Sequence, residues 1–151
     1  MSAEIVRADA SRIAGIRAVE EACFSQPWGE AAIRGELENG HSALFVALAD
    51  GGIVGWAGLE ALFGEGCVTN VAVLPAFRRK GIGRALTAAL IAEAKRLSLD
   101  WLQLEVRVSN AAAIALYASL GFAPIGKRPR FYDYPREDAL LMRLPLKEKE
   151  N

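Results

Sequence analysis

Apolar positions recur along this chain in two rhythms, and the switches between them mark out the elements. Ile13, Ile16, Val19 and Cys23 fall at helical spacing, behind Asp9 or Ser11, either of which can cap a helix start. Ile33 and Leu37 repeat that spacing over a second helix, with Pro27 suited to its first position and Asn39-Gly40 to its stop. Ile82, Leu86, Leu90, Ala94 and Leu97 repeat it over a third. A fourth helix is capped by Ser109 or Asn110 and runs to Leu120; Gly121 supplies a left-handed stop and Phe122 the apolar residue beyond it. Elsewhere the rhythm is that of strands. Ile5 and Val6 predict a short first strand, and the unbroken apolar run Ala43 to Ala49 predicts a buried one. Asp50-Gly51-Gly52 has hairpin chemistry and leads into Ile53 to Leu59, and Gly64 to Gly66 turns again into Val68 to Val73. Trp101 to Val108 alternates, with Leu102, Leu104, Val106 and Val108 on one face and Trp101, Gln103, Glu105 and Arg107 on the other. Ala123 to Lys127 and Ala139 to Leu144 are the last two strands, joined by a loop reading RPRFYDYPRED. The order β-α-α-β-β-β-α-β-α-β-β predicts an α/β domain with a mixed sheet, since helices separate the later strands.

Length and composition narrow the function. One domain of 151 residues, frayed only at 147–151, is large enough to bury a sizeable core. Lysine plus arginine and aspartate plus glutamate both number 18, so no charge excess points to nucleic acid or an anionic membrane. With no leader pattern and no run of 18 apolar residues, the expected compartment is the cytoplasm, with no membrane partner. Cys23 and Cys67 lack C-x-x-C spacing and are expected to be small buried side chains. His41, the only histidine, sits near a turn, which leaves no basis for a histidine-centred triad or a multi-histidine metal site.

The chemistry concentrates between Asn70 and Leu97. Val71, Ala72 and Val73 suit a strand, Pro75 ends it, and Arg78, Arg79 and Lys80 precede Gly81-Ile82-Gly83 at the start of the third helix. Orphan N–H groups at a helix start, glycines that permit close approach and flanking cations make a site for a diphosphate. No Gly-Lys-Ser/Thr follows, so this is not a nucleotide-triphosphate loop, and Leu86 stands where a dinucleotide motif needs its third glycine. A solvated basic loop is the alternative. Other candidates carry alternatives too. Glu105 can pair with Arg107 on its own strand face. Tyr117 follows Ala113 and Ile114 at helical spacing and can be an ordinary half-buried tyrosine, and Arg128 and Arg130 can be solvated. Of Trp28, Trp56 and Trp101, only Trp28 is a site candidate.

Arg78-Arg79-Lys80-Gly81-Ile82-Gly83 after a strand meets the coenzyme motif R/Q-x-x-G-x-G/A of the GNAT family of N-acetyltransferases, which the chain resembles. NVAV, GIGRAL, LEVRVSNAAAIALYASLGF and EDALLM, and more weakly FSQPW, resemble its bacterial ribosomal-protein-alanine branch, the RimI type; these matches cover about half the chain. One departure is a short loop reading FYDYP where the branch has an adjacent tyrosine pair, which bears on peptide specificity. The resemblance implies the GNAT acyl-CoA N-acyltransferase fold and transfer of acetyl from acetyl-CoA, without a metal, to the α-amine of a protein N-terminus, with the N-terminal alanine of a small-subunit ribosomal protein as acceptor. It implies that the backbone of Val71, Ala72 and Val73 follows the pantetheine arm and that Arg78, Arg79, Lys80, Gly81, Ile82, Gly83 and Arg84 form the pyrophosphate cradle. Asn110 would hold the coenzyme arm. Glu105 would be the general base, and Tyr117 the general acid and a further coenzyme contact. Trp28, Arg130, Tyr132 and Tyr134 would border the acceptor groove. A partner protein in an acetylation or tRNA-modification complex is a further expectation. A small amine or lysine side chain as acceptor, or a coenzyme-binding module without catalysis, are the competing functions.

Overall fold

The computed structural model describes residues 3–147. Seven strands form one mixed sheet in the order β1-β2-β3-β4-β5-β7-β6. The strands are β1 (Glu4–Arg7), β2 (Ser42–Ala49), β3 (Gly52–Leu62), β4 (Glu65–Val73), β5 (Trp101–Arg107), β6 (Ala123–Tyr132) and β7 (Glu137–Pro145). The helices are α1 (Ile13–Cys23), α2 (Glu30–Glu38), α3 (Ile82–Arg96) and α4 (Ala111–Ser119). The predicted element order and mixed sheet are therefore observed. β2 reads as a continuous apolar run because both faces are covered. Leu44 and Val46 pack with Ile16, Val19, Ile33 and Trp56 on the α1–α2 face, while Ala43 and Ala47 join Leu86, Leu90 and Leu102 on the other.

Several boundaries move for identifiable reasons. Asp9, not Ser11, caps the first turn, accepting from the Ser11 N–H at 2.9 Å. α2 begins at Glu30, so Pro27 lies in the preceding loop rather than at the helix start. The second hairpin turns on Phe63 (φ 54°) and Gly64 (φ 78°); phenylalanine carries no turn signal, so the sequence places the turn one residue late. Leu97 is 41 % exposed past the end of α3, and Val108 is exposed past the end of β5; Leu99 takes up the buried role instead. Ser98 has a left-handed φ of 58°, which redirects the chain so that Leu99 points inward. Cys67 is exposed and Cys23 only half-buried, both free thiols, against the expectation that both are buried.

The largest revision concerns RPRFYDYPRED. Most of it is strand, because β6 continues to Tyr132 across an irregularity where Pro129, Arg130 and Phe131 stand against Asp138 alone. Arg130 takes φ 53° there, and its N–H donates to Asp138 Oδ1 at 2.9 Å. Proline and an unpaired bulge look like a loop in sequence. Lys147 is not frayed: its Nζ lies 2.8 Å from Asp100 Oδ1, while 148–151 lie outside the described residues.

The feature that positions the site is the seam between β4 and β5. They are parallel and pair only at Glu65–Trp101, Gly66–Leu102 and Cys67–Gln103. Beyond Cys67 the strands part, and no further ladder closes the gap. Leu74 N–H bonds to Val54 O at 2.8 Å, which fixes the alternation of the β3–β4 ladder. By that alternation Val71 and Val73 turn their N–H and C=O groups away from β3 and into the gap.

Candidate active site

The parted strands open a cavity of about 710 Å³. One wall is β4 from Val68 to Val71; the opposite wall is β5 from Leu104 to Arg107, with Asn110, Ala113 and Tyr117 of α4 beside it. The remaining boundary has two lips. One is the end of α1 and the loop after it, Cys23 to Gln26 with Trp28; the other is the β6–β7 hairpin from Phe131 to Pro135. Ser25 Oγ donates to Tyr134 O at 3.3 Å and ties the lips together.

At the mouth of the gap next to Val73, the chain passes a short turn at Pro75–Phe77 and enters α3. Arg79 (φ 63°) and Gly81 (φ 80°) both take left-handed backbone, and Gly81 is the N-cap with no side chain to satisfy the helix start. The first bond back onto the cap is Ala85 N–H to Gly81 O, at 3.0 Å, so the N–H groups of Ile82, Gly83 and Arg84 are left for another acceptor. A Cβ on Gly83 would come within 3.5 Å of Leu116, so the turn lies close against α4. Arg79, Lys80 and Arg84 are exposed around this turn, whereas Arg78 folds back, its Nε donating to Val73 O at 3.1 Å. Uncapped N–H groups and three cations next in the chain to unpaired strand amides fit an anionic, amide-bearing ligand such as an acyl coenzyme.

Glu105 stands on the cavity wall, its side chain about a third exposed. It does not pair with Arg107. Its carboxylate lies 3.4 Å from Arg128 Nε, because Arg107 is taken by the hairpin. Arg107 NH1 donates to Pro135 O at 2.8 Å and NH2 to Asp133 O at 2.9 Å, and Glu137 lies 3.3 Å from NH1. The same guanidinium sits 4.5 Å from the centre of the Tyr132 ring. Arg107 is thus a functional candidate that sequence reasoning used only as a partner for Glu105. Glu137, which holds it, also accepts the Ser109 N–H at 2.7 Å.

Tyr117 is 8 % exposed, in edge-to-face contact with Phe122 at 5.8 Å. The end of α4 holds it: Phe122 N–H bonds back to Tyr117 O and Gly121 N–H to Ala118 O, a left-handed helix cap at Gly121 (φ 102°). Burial, and then the neighbouring Tyr132, push its phenol up to about 12. Tyr132 is likewise pushed up to about 12, by burial and by Glu105. Asn110 caps α4 by accepting the Ala113 N–H at 3.1 Å and also lines the cavity.

Of the acceptor residues read from sequence, Trp28, Tyr132 and Tyr134 border the cavity, while Arg130 is exposed on the bulge and does not. Trp56 is core, edge-on to Trp28 at 5.5 Å, and Trp101 lies under Arg143 at 3.9 Å. Sequence reasoning also passed over Glu20, a buried carboxylate on the cavity wall. Its signal was a charge one position past Val19 on the apolar face of α1. Among the described residues, no group of three metal-ligating side chains is assembled, and no helix is long and apolar enough to cross a membrane.

The family model described as acetyltransferase (GNAT) family matches residues 13–122. The [ribosomal protein bS18]-alanine N-acetyltransferase of Escherichia coli (strain K12) is 38% identical over 131 residues, covering 85% of this chain and 87% of that protein. N-alpha-acetyltransferase RimI of Mycobacterium tuberculosis (strain ATCC 25618 / H37Rv) is 38% identical over 143 residues, covering 92% of this chain and 88% of that one. The crystal structure of the ribosomal-protein-S18-alanine N-acetyltransferase from Escherichia coli superposes with a TM-score of 0.90 at 32% identity, over 99% of this chain and 97% of that one.

Proposed function

The chain belongs to the acetyltransferase (GNAT) family, and from that premise we propose that it moves acetyl from acetyl-CoA to the α-amine of a protein N-terminus. The acceptor is the N-terminal alanine of a small-subunit ribosomal protein; the Escherichia coli relative is named a [ribosomal protein bS18]-alanine N-acetyltransferase. One observation carries the reading. A single cavity joins the free strand amides of Val71, the side chains of Glu105 and Tyr117, and a lip-and-hairpin mouth.

Acetyl-CoA supplies an activated acyl group. The backbone N–H groups of Arg79 to Arg84 would hold its pyrophosphate, and the amides of Val71 and Val73, with Asn110, would hold its arm. An α-amine has a pKa near 7.7–8.0, so much of it arrives protonated and cannot attack. Glu105 takes that proton, directly or through a water. A backbone N–H near Val73 would stabilise the negative charge that develops on the acyl oxygen. The Tyr117 phenol, pushed up to about 12, keeps its proton at neutral pH and donates to the departing sulfur. Transfer is direct: burial pushes the Cys23 thiol up, and its Sγ is engaged with Val73 O at 3.3 Å, so it is no nucleophile.

The tie between Ser25 and Tyr134 spans the acceptor side. It favours a chain that enters end-on over one laid across the mouth, hence an α-amine over an internal lysine. The protein works in the cytoplasm, where new ribosomal proteins are found, and a partner in an acetylation or tRNA-modification complex belongs to the same reading; unchanged turnover and elution volume with that partner added would remove it. The test of function is mass spectrometry of peptides with varied first residues after incubation with acetyl-CoA. Alanine at the first position should be acetylated fastest and only at the α-amine. Lysine acetylation at an equal rate would overturn the reading.

A further inference from the structure

Glu20 takes no part in the chemistry above, yet among the described residues it is the most fully enclosed charge, at 0 % exposure. Its carboxylate collects three N–H donors. Oε1 accepts from the backbone N–H of Trp28 at 3.0 Å; Oε2 accepts from the Trp56 indole at 3.0 Å and from the Asn70 amide at 2.8 Å. All three are neutral, so the charge is solvated by hydrogen bonds alone, and burial pushes the carboxyl above its usual range. A carboxylate held this way costs more than an apolar side chain of the same size. The donors come from separate parts of the site. Trp28 is the root of one cavity lip, Trp56 is on β3, and Asn70 is on β4 immediately before Val71.

We propose that Glu20 is a positioning residue for acetyl transfer: its carboxylate fixes the acceptor lip at Trp28 in register with the β4 segment that carries Val71 and Val73. The assignment rests on the N-terminal acetyltransferase reading. Only an acceptor-only group serves all three donors. Glutamine in its place must turn its NH₂ toward either the Trp28 N–H or the Trp56 indole N–H. Asn70 can flip to present its oxygen; a backbone amide and an indole cannot. The orientation that needs no flip of Asn70 keeps the Trp56 and Asn70 donors on the amide oxygen and turns NH₂ against the Trp28 N–H, so Glu20→Gln should loosen the lip although it keeps the shape. Trp56→Phe removes the indole donor. In Glu20→Gln/Trp56→Phe the glutamine oxygen accepts from Trp28, and its NH₂ meets a flipped Asn70, so the lip should be restored with the charge still absent.

The test is a cycle of the parent, Glu20→Gln, Trp56→Phe and the double variant. Amide exchange at Trp28, followed by NMR in the free protein, reads the lip without turnover. It should be roughly tenfold faster in Glu20→Gln than in the parent and return in the double variant. The KM for an N-terminal peptide should rise roughly tenfold in Glu20→Gln and recover in the double variant, with kcat at saturating peptide and the coenzyme Kd unchanged throughout. Unaltered exchange and KM in Glu20→Gln would overturn the proposal. So would a double variant whose loss equals those of Glu20→Gln and Trp56→Phe combined, since the two sites would then be uncoupled and charge rather than hydrogen bonding would be the cause. Equal losses in kcat, KM and coenzyme affinity would reduce Glu20 to a folding role. A parent that acetylates no N-terminal peptide would instead remove the function, and the exchange rates would separate that failure from this one.

Discussion

The two halves of the sheet, on either side of the β4–β5 seam, are built on different terms. In the first half, β3 is buried at every position from Val54 to Leu59, between α1 on one face and α3 on the other. In the second half, β6 is exposed at every position from Ala123 to Phe131. The β4 wall of the cavity, proposed for the coenzyme, is therefore backbone set on a packed core. The opposite rim, proposed for the acceptor, is a thin hairpin held by polar ties, chiefly Arg107 to Asp133, Pro135 and Glu137. Packing fixes atoms through many weak contacts that fail together, whereas a few hydrogen bonds fix a lip that can be re-aimed by a single substitution.

The reaction needs both halves, so the largest effects should come where they meet. Glu105→Gln and Tyr117→Phe should each lower kcat by roughly 10²–10⁴-fold, the usual size of an acid–base contribution, with coenzyme affinity little changed. Near-normal turnover in Glu105→Gln across about pH 6 to 9 would break the assignment. Stability should separate the halves next. Leu86→Ala, in the core under β3, should cost about 2–5 kcal/mol in denaturant melts. Ile125→Ala on β6 should fall within about 0.5 kcal/mol of the parent, and comparable losses at both positions would erase the contrast. Arg107→Ala should act on the hairpin alone. The expected result is a peptide KM raised roughly tenfold, from the loss of charge-assisted bonds, with coenzyme affinity intact.

The smallest effect is alkaline. Tyr117 and Tyr132 have folded-state values of about 12, above the ordinary 10. Their neutral forms are favoured in the fold, so this contribution is fully present below pH 10 and is lost as pH rises toward 12. Melting temperature should fall across that window, by less in Tyr117→Phe. The kcat profile should show no tyrosine limb below about pH 10.

The same contrast decides what could be read from sequence. The packed half was legible because burial on both faces leaves continuous apolar runs, as in β2, and regular helical spacing, as from Ile82 to Ala94. The glycine turn was legible because left-handed backbone at Gly81 and a free helix start need particular residue types. The hairpin was not, because Pro129 and the Arg130 bulge carry loop chemistry inside a paired strand. Nor was the route of Arg107, which by spacing belongs to Glu105 and in space belongs to a turn 26 to 30 residues later. Glu20 escaped for the opposite reason. Its three donors lie 8, 36 and 50 residues away, and no local pattern announces a contact of that range.

The amides of Val71 and Val73 that face the gap have a consequence for how this protein can diversify. A ligand gripped by main chain is indifferent to side-chain identity, so β4 can drift among β-branched and small residues while acyl-donor chemistry persists. The hairpin across the gap has no such insulation: on the proposed function, each exchange at Tyr132 or Tyr134, or at Arg107 of β5 that holds their turn, would change what the mouth admits. Lineages descended from such a chain would keep one donor and trade acceptors, and a directed-evolution library aimed at a new amine should be confined to that hairpin and the lip facing it.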